Sequence, residues 1–258
     1  MKITFLGVGE AFDFENDLPN NSHLLISEKT NMLVDCGYSV PKQWFKLGKE
    51  ANFLDAIYIS HKHADHYFGL PILLMRLWEG GRNRPLMIIC QKELIDFFKD
   101  FSELAYKGFP AKFKYEINFT GVKSGHVIKL NDLELSFAPT IHSIENLAIK
   151  ISDGINSYCY SGDGQFTEET ERLYKNSDLV IQETYLYDKK VFGHSYITDS
   201  IEMAERNNIK CLALTHMQRD FRKNDLPKLR DKIKSDKVKI IIPEPFDESL
   251  ISISELQK

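Results

Sequence analysis

The stretch Ile59-Ser60-His61-Lys62-His63-Ala64-Asp65-His66 places three imidazoles and a carboxylate within six positions. Neutral imidazole nitrogens and carboxylate oxygens are ligands that suit zinc, iron or manganese. Four such groups held close together carry a heavy desolvation cost unless a cation compensates them. The stretch therefore predicts a site for two metal ions.

A histidine-rich surface loop is the alternative interpretation of this stretch. The preceding run, residues 54–60, resembles a buried strand, so the cluster lies where a strand emerges into a loop. Alternate residues His61 and His63 would lie on one side of an extended strand end, whereas Asp65 and His66 follow the bend and can reach a second ion. This placement favours metal binding over an accidental surface cluster.

Length and composition restrict the class of protein. A chain of 258 residues with 43% hydrophobic content is long enough for one substantial core, and we expect one domain. The 33 basic and 37 acidic residues give a formal net charge of -4, which provides no global attraction to nucleic acid or to an anionic membrane. Extended nucleic-acid binding is therefore not expected.

No apolar run approaches the roughly 20 residues needed to span a bilayer, so we expect no membrane partner and a cytoplasmic location. The four cysteines are scattered without a CxxC pair. We interpret them as small buried residues and not as metal ligands.

Strand-like and helical segments alternate along the chain, with no linker that would divide it. Strands are predicted over 2–6, 23–27, 31–34, 86–90, 133–137, 148–152, 157–160, 179–182, 211–215 and 238–242. Helices are predicted over 69–78, 92–105, 168–175, 200–207 and 226–233. Blocks of strands with interspersed helices favour two sheets packed together with helices outside.

Three further polar residues follow apolar runs, as the first cluster does. They are His142 after residues 137–141, Asp163 after residues 158–162 and His216 after residues 212–215. A single histidine beside a strand is usually structural. Three such residues at equivalent positions in one chain are stronger candidates for a shared site.

The chain resembles the metallo-β-lactamase superfamily, and within it the branch that contains ribonuclease Z. The spacing His61-x-His63-x-Asp65-His66 is similar to the superfamily's HxHxDH motif, and Gly69-Leu70-Pro71 follows it as in ribonuclease Z. Further similarities, in chain order, are Phe5 to Ala11, Val34-Asp35-Cys36-Gly37, His142, Ser161-Gly162-Asp163, Glu183-Thr184, Gly193-His194-Ser195 and Leu214-Thr215-His216. The resemblance covers nearly the whole chain. It implies an α/β fold, the four-layer αββα metallo-β-lactamase sandwich, as a single domain over residues 1–258.

Carried over position by position, the resemblance implies two divalent metal ions. One set of implied ligands is His61, His63 and His142, and the other is Asp65, His66 and His216, with Asp163 bridging the two ions. A water or hydroxide between the ions would be the nucleophile, because metal binding lowers the pKa of water. Zinc is the first expectation, and manganese and iron remain alternatives.

The resemblance also implies three catalytic residues. They are Asp65, which is also an implied metal ligand, His194 and Glu183. His194 would stabilise the anionic transition state and protonate the leaving oxygen. Glu183 would orient a nearby histidine, and Asp35 would support a ligand by accepting from its other ring nitrogen. The alternative for His194 is an exposed imidazole beside a helix cap formed by Ser195.

The length of one connection decides the expected substrate. Ribonuclease Z carries a long arm that grips tRNA between its third histidine ligand and its bridging aspartate, but only residues 143–162 separate His142 from Asp163 here. Two short strands and a turn fill that span. We therefore predict a metal-dependent phosphodiesterase that acts on a small or short substrate, such as a cyclic nucleotide, a cyclic phosphate or an oligonucleotide.

Three other functions are alternatives, and a homodimer is an open alternative for the oligomeric state. They are a tRNA 3′-end endoribonuclease of ribonuclease Z type, a thioester or lactone hydrolase of glyoxalase II type and a non-catalytic metal-binding accessory protein. The Gly193-His194-Ser195 element favours phosphorus over carbon as the reacting centre. Basic residues that could contact phosphate are Arg76, Arg82, Arg84, Arg219, Arg222 and Lys223, and surface solvation is their other interpretation.

Overall fold

A computed structural model describes residues 1–14 and 16–250 of the chain. Two seven-stranded sheets pack face to face, and helices cover their outer surfaces. This arrangement is the predicted four-layer αββα sandwich and forms one domain. The last residues of the predicted 1–258 domain, 251–258, lie outside the described residues.

The first sheet contains seven strands: β1 (Lys2–Gly7), β2 (Ser22–Ile26), β3 (Asn31–Val34), β4 (Ala56–Tyr58), β5 (Leu86–Gln91), β6 (Ile117–Val122) and β14 (Glu248–Leu250). Their order is β14-β1-β2-β3-β4-β5-β6. Pairing is antiparallel from β14 to β3 and parallel from β3 to β6. The parallel half places the carboxyl ends of β3 and β4 side by side.

The second sheet contains β7 (Val127–Leu130), β8 (Leu133–Pro139), β9 (Leu147–Ser152), β10 (Ser157–Tyr160), β11 (Leu179–Glu183), β12 (Cys211–Thr215) and β13 (Lys239–Ile241). Their order is β13-β12-β11-β10-β9-β8-β7. Strands β7 to β10 are antiparallel, and β10 to β13 are parallel. The carboxyl ends of β10, β11 and β12 therefore meet at one edge.

Seven α-helices lie outside the sheets among the described residues: α1 (Val40–Lys46), α2 (Ala64–Tyr67), α3 (Leu70–Glu79), α4 (Ile95–Ala105), α5 (Glu168–Tyr174), α6 (Ile197–Arg206) and α7 (Leu226–Leu229). Short 3₁₀ turns and one π-helical turn, Phe221–Asp225, complete the connections. No helix in residues 1–14 and 16–250 is long and apolar enough to cross a membrane.

Apolar side chains form three packed clusters that hold the layers together. The central cluster lies between the sheets and includes Phe5, Tyr58 and Ile149. One outer cluster joins the first sheet to α1, α3 and α4. The other joins the second sheet to α5, α6 and α7. Strands buried on both faces, such as β4 and β12, are almost uniformly apolar, which explains why they could be predicted from short apolar runs.

Several predicted elements differ from the structure. The expected strand over 54–60 is regular only at Ala56–Tyr58, and helices α1 and α2 were not predicted. Helix α2 has four residues, too few to show a helical period. Helix α6 begins at Ile197, not at Ser200, and its N-cap is Tyr196. Ser195 is therefore no helix cap, and the capping interpretation of the Gly193-His194-Ser195 element is wrong.

Candidate metal centre

The seven predicted ligands converge at one edge of the sandwich because each follows a strand that ends there. His61 and His63 follow β4, and Asp65 and His66 lie on the short helix α2. His142, Asp163 and His216 follow β8, β10 and β12. The two sheets face each other, so these strand ends bring all seven side chains into two groups that share Asp163.

The first group contains His61, His63, His142 and Asp163. The Nδ1 atom of His63 lies 3.1 Å from Nε2 of His61 and 3.0 Å from Nε2 of His142. Oxygen Oδ2 of Asp163 lies 3.9 Å from His61 Nε2 and 4.0 Å from His142 Nε2. Ligands about 2.0–2.1 Å from a zinc ion lie about 3.3 Å apart at the corners of a tetrahedron, so these four atoms can surround one cation.

The second group contains Asp65, His66, Asp163 and His216. Oxygen Oδ2 of Asp65 lies 3.1 Å from His66 Nε2 and 3.4 Å from His216 Nε2. The carboxylate of Asp163 reaches the same space, with Oδ1 at 3.3 Å from His66 Nε2 and Oδ2 at 3.4 Å from His216 Nε2. All four residues are buried, and their ligand atoms can also surround one cation.

Two observations test whether these residues fit metal ions. His66 Nε2 and Asp163 Oδ1 are buried yet have no hydrogen-bond partner among the described residues, a costly state that a cation between them would relieve. The electrostatic field points the same way. Burial opposes protonation of His66, but the carboxylates of Asp65, Asp163 and Asp35 outweigh it and raise the pKa of His66 well above its usual value. The site therefore favours positive charge.

The other histidines differ in charge state according to their neighbours. Burial, together with the positive charge at His66, lowers the pKa of His61 well below its usual value, and burial also lowers that of His63. Both stay neutral, which is the form that binds metal. Burial opposes protonation of His216 as well, but Asp163 and Asp65 raise its pKa to about 9. Positive charge is thus favoured mainly at the second ligand group.

Hydrogen bonds fix which nitrogen of His66 and of His142 faces the cluster. Asp35 Oδ2 accepts from Nδ1 of His66 at 2.7 Å. The carbonyl oxygen of Gly193 accepts from Nδ1 of His142 at 2.7 Å. These partners leave Nε2 of both rings free for a metal, as a ligand histidine requires. Asp35 and His216 also have positive φ angles, 58° and 57°, an uncommon conformation for residues other than glycine.

His194 and Glu183 lie beside the ligand groups. Nδ1 of His194 is 3.3 Å from Oε1 of Glu183, and the same oxygen accepts from the backbone N–H groups of Gly164 and Ser195 at 3.0 and 2.9 Å. Burial opposes protonation of His194, but the carboxylate of Glu183, 3.3 Å from Nδ1, outweighs it and raises the pKa of His194. The ring of Tyr185 stacks on that of His194, with the two ring centroids 4.6 Å apart.

A cleft of about 350 Å³ opens onto the cluster. Candidate ligands and His194 line part of it, beside Glu10, Ala11 and Ala64. The other lining residues were singled out by no sequence pattern and are Phe12, Tyr38, Ser143 and Tyr185. Phe12 is 63% exposed. The one signal that could have identified it is an aromatic pair, Phe12 and Phe14, in a polar loop, where burial cannot explain large apolar side chains.

The predicted basic residues have mostly structural partners. Arg82 is buried and donates to the carbonyl oxygens of Ala51, Leu54 and Pro85, so its expected exposure to phosphate is wrong. Arg222 is buried and pairs with Glu244 at 2.8 Å. The other partners are Glu79 for Arg76, Asp55 for Arg84 and Glu10 for Arg219. Of these six residues, none lines the cleft.

The fold and the strand-end cluster together define a ribonuclease Z-like member of the metallo-β-lactamase superfamily. The sequence model of the family described as anti-Pycsar protein Apyc1 matches residues 1–246. The chain belongs to that family.

Similar proteins agree with this class. Ribonuclease Z of Methanothermobacter thermautotrophicus is 24% identical over 279 aligned positions, covering 88% of this chain and 89% of the relative. The probable metallo-hydrolase YhfI of Bacillus subtilis is 26% identical over 223 aligned positions, covering 84% of this chain and 87% of YhfI. Its crystal structure superposes with a TM-score of 0.80 at 23% identity, covering 96% of this chain and 98% of YhfI. The crystal structure of human short-form tRNase Z superposes with a TM-score of 0.79 at 22% identity, covering 98% of this chain and 100% of tRNase Z. At these identities the two structures establish the fold.

Proposed function

We propose that this protein is a dinuclear metal-dependent phosphodiesterase that acts on a small or short substrate. The observation that carries the proposal is that two complete ligand groups share Asp163 in the same cleft that holds the Glu183–His194 pair. Two adjacent cations and a neighbouring proton donor suit displacement at phosphorus, because negative charge accumulates on both the phosphate and the leaving oxygen.

In this proposal His61, His63 and His142 hold one ion, Asp65, His66 and His216 hold the other, and Asp163 contacts both. Three imidazoles in one group and mixed carboxylate and imidazole ligands in the other suit zinc, with manganese or iron as alternatives. When bound, two divalent ions would lower the pKa of an attacking water and neutralise negative charge on the phosphate.

The chain's own contribution beyond the ligands comes from His194. Nδ1 of His194 faces Glu183, 3.3 Å from Oε1, so Nε2 is the nitrogen that can serve a substrate in the cleft. Nε2 would hold a proton that passes to the leaving oxygen as the P–O bond breaks. Glu183 is itself fixed by two backbone N–H donors, and Tyr185 stacks on the ring, so the imidazole is kept in one orientation.

The size of the substrate is inferred from the chain around the cleft. Residues 147–160 form only β9, a tight turn and β10, which leaves no protruding arm with which to hold a tRNA. The cleft walls carry Phe12, Tyr38 and Tyr185, aromatic rings that can stack on a planar group. These features support a compact phosphodiester with an aryl or nucleobase substituent, such as a cyclic mononucleotide.

A hydrolysis panel tests the proposal on purified protein loaded with zinc or manganese. The substrates are bis-p-nitrophenyl phosphate, a cyclic mononucleotide, a 3′-extended tRNA precursor, a thioester and a lactone. We expect cleavage of the aryl phosphate and the cyclic nucleotide, with little action on the tRNA. Cleavage of only the thioester or lactone would contradict the proposed reaction, and a clear preference for the tRNA would contradict the proposed substrate size.

A further inference from the structure

We infer that Tyr160 is a positioning residue for the metal centre and that it acts through the carboxylate of Asp35. The inference rests on the proposed function, because it takes the two ligand groups to bind metal ions. Tyr160 lies on β10 of the second sheet, whereas Asp35 follows β3 of the first. Their hydrogen bond, 2.8 Å from the tyrosine hydroxyl to Oδ2, joins the sheets directly behind the cluster.

Asp35 is the centre of a hydrogen-bond network that is fully buried. Its Oδ1 accepts from the backbone N–H of Ser60 at 2.8 Å. Its Oδ2 accepts from the Ser60 hydroxyl at 2.7 Å, from His66 Nδ1 at 2.7 Å and from the Tyr160 hydroxyl at 2.8 Å. Four donors around one carboxylate fix both its position and its orientation, because rotation would break at least one of these bonds.

The network reaches histidines of both ligand groups. His66, in the second group, donates directly to Asp35. His61, in the first group, has Nδ1 at 3.0 Å from the Ser60 hydroxyl oxygen. Since that hydroxyl gives its hydrogen to Asp35, its oxygen accepts from His61 Nδ1, and Nε2 of His61 is left for the ion. One carboxylate thus orients a ligand on each side of Asp163.

Tyr160 connects this network to the shared ligand. It lies three positions before Asp163 on the same segment of chain, so its hydroxyl links the strand that delivers Asp163 to the carboxylate that orients His61 and His66. Burial and the charge of Asp35 raise the pKa of Tyr160 well above its usual value, so the phenol keeps its proton and remains a donor. Loss of the hydroxyl would leave Oδ2 with two donors instead of three and would remove this link between β10 and the Asp35 network.

The same strand offers a matched control in Tyr158. Tyr158 and Tyr160 lie on the same face of β10, and both are fully buried. The hydroxyl of Tyr158, however, lies 3.2 Å from Nδ1 of His23, outside the Asp35 network. Replacing either tyrosine with phenylalanine removes one buried hydroxyl and the hydrogen bond that it forms. Only Tyr160→Phe changes the surroundings of the metal ligands.

The test compares zinc affinity in the whole protein. Zinc dissociation constants of the unchanged chain, Tyr160→Phe and Tyr158→Phe are measured by competition with a chromophoric chelator, and urea unfolding of the metal-free forms reports stability. We expect Tyr160→Phe to weaken zinc binding by about 10-fold, the lower end of the effect of losing a partner of a metal ligand. Tyr158→Phe should lose stability and keep its zinc affinity. Equal zinc affinities in the two variants would overturn the inference.

A double variant tests the route through Asp35. If Tyr160 acts through Asp35, Tyr160→Phe should weaken zinc binding no further in an Asp35→Ala background, whereas an additional loss there would remove Asp35 from the explanation. Hydrolysis of bis-p-nitrophenyl phosphate by the unchanged chain is measured alongside. A chain that binds zinc without hydrolysing the ester would contradict the proposed function alone, and an active chain with unchanged affinity in Tyr160→Phe would contradict the positioning role alone.

Discussion

Nδ1 of His142 lies 2.7 Å from the carbonyl oxygen of Gly193, so the residue directly before His194 holds a candidate metal ligand. The contact couples two loops that follow different strands of the second sheet. Gly193 has a φ of 77°, and a Cβ atom there would lie 3.4 Å from His142 Nδ1. The loop that presents His194 and the ligand His142 therefore depend on one another for their positions.

Gly193→Ala is expected to weaken zinc binding. Alanine at a positive φ costs about 1–2 kcal/mol of stability, and here the added methyl also crowds the His142 ring. The measurement is zinc affinity by chelator competition, with stability from urea unfolding. Gly154→Ala is the control, because Gly154 has a φ of 86° with open space around it. If both variants bind zinc as the unchanged chain does, the Gly193 contact does not position His142.

Asp65→Ala is expected to lose one of the two ions and nearly all hydrolysis. Asp65 Oδ2 lies within 3.4 Å of Nε2 of both His66 and His216, and its loss removes a negative ligand from the second group. The loss of zinc affinity should exceed the roughly 10–100-fold caused by losing a partner of a ligand. Metal analysis and the rate of phosphodiester hydrolysis measure the effect. Two ions retained per chain would show that Asp65 is no ligand.

His194→Ala is expected to keep both ions and lose rate. Removal of a general acid costs about 10²–10⁴-fold in kcat. His194→Gln should behave in the same way, because glutamine can form hydrogen bonds but cannot pass a proton to the leaving oxygen. The control is His126→Ala, a histidine in the turn before β7 that does not line the cleft. Full activity in His194→Ala would remove it from the mechanism.

Phe12→Ala is expected to raise KM for substrates with a planar substituent. Stacking of a base on an aromatic side chain contributes about 1–3 kcal/mol, which corresponds to about a 5- to 150-fold rise in KM. A methyl phosphodiester with no ring should show little change. Phe45→Ala, an exposed phenylalanine on α1 outside the cleft, is the control. An equal rise in KM for the ringed and ringless substrates would contradict stacking by Phe12.

His23 gives an expected pH dependence of stability. Burial, followed by the positive charge at His66, lowers its pKa to about 3. Between that value and the unfolded value near 6.5 the unfolded chain binds more protons, so stability falls as the pH drops below about 6.5. At pH 5 this cost is about 2 kcal/mol, from a separation of about 1.5 pH units at 1.36 kcal/mol each.

His23→Asn removes this titration and keeps a polar group near the Tyr158 hydroxyl. The stability difference between the unchanged chain and His23→Asn should therefore shrink as the pH falls from 7 to 5. Urea unfolding of the metal-free proteins at both pH values measures it. A difference that stays constant between pH 7 and pH 5 would show that His23 can be protonated in the folded state.

The convergence of the candidate ligands could be predicted from the sequence because its signals are local. His61, His63, Asp65 and His66 lie within one short stretch, and His142, Asp163 and His216 each follow an apolar strand. In a sandwich with parallel strands, such positions meet at one edge of the sheets. The same local logic gave the strands Asn31–Val34, Ser157–Tyr160 and Cys211–Thr215 with their observed bounds.

The cleft walls and the Tyr160 contact could not be predicted in this way, whereas the contact of Asp35 with a candidate ligand was expected from the resemblance. Tyr160 looks like any other apolar strand residue, and only the approach of the two sheets brings its hydroxyl to Asp35. Arg82 was expected at the surface because it is a charged residue in a loop. It is buried instead, and three backbone carbonyl oxygens accept its hydrogen bonds. Such contacts depend on how distant segments pack, which no pattern within a single segment contains.

The tight turn between β9 and β10 has a consequence for how this architecture can change. Ser152 and Ser157 are paired across the turn, and Gly154 and Ile155 at its tip are exposed. Extra chain inserted at the tip would leave that pairing, and hence the approach to Asp163, undisturbed. An appendage could thus be gained or lost at one solvent-facing position without rebuilding the candidate metal centre. Substrate range and chemistry can therefore evolve independently in this scaffold.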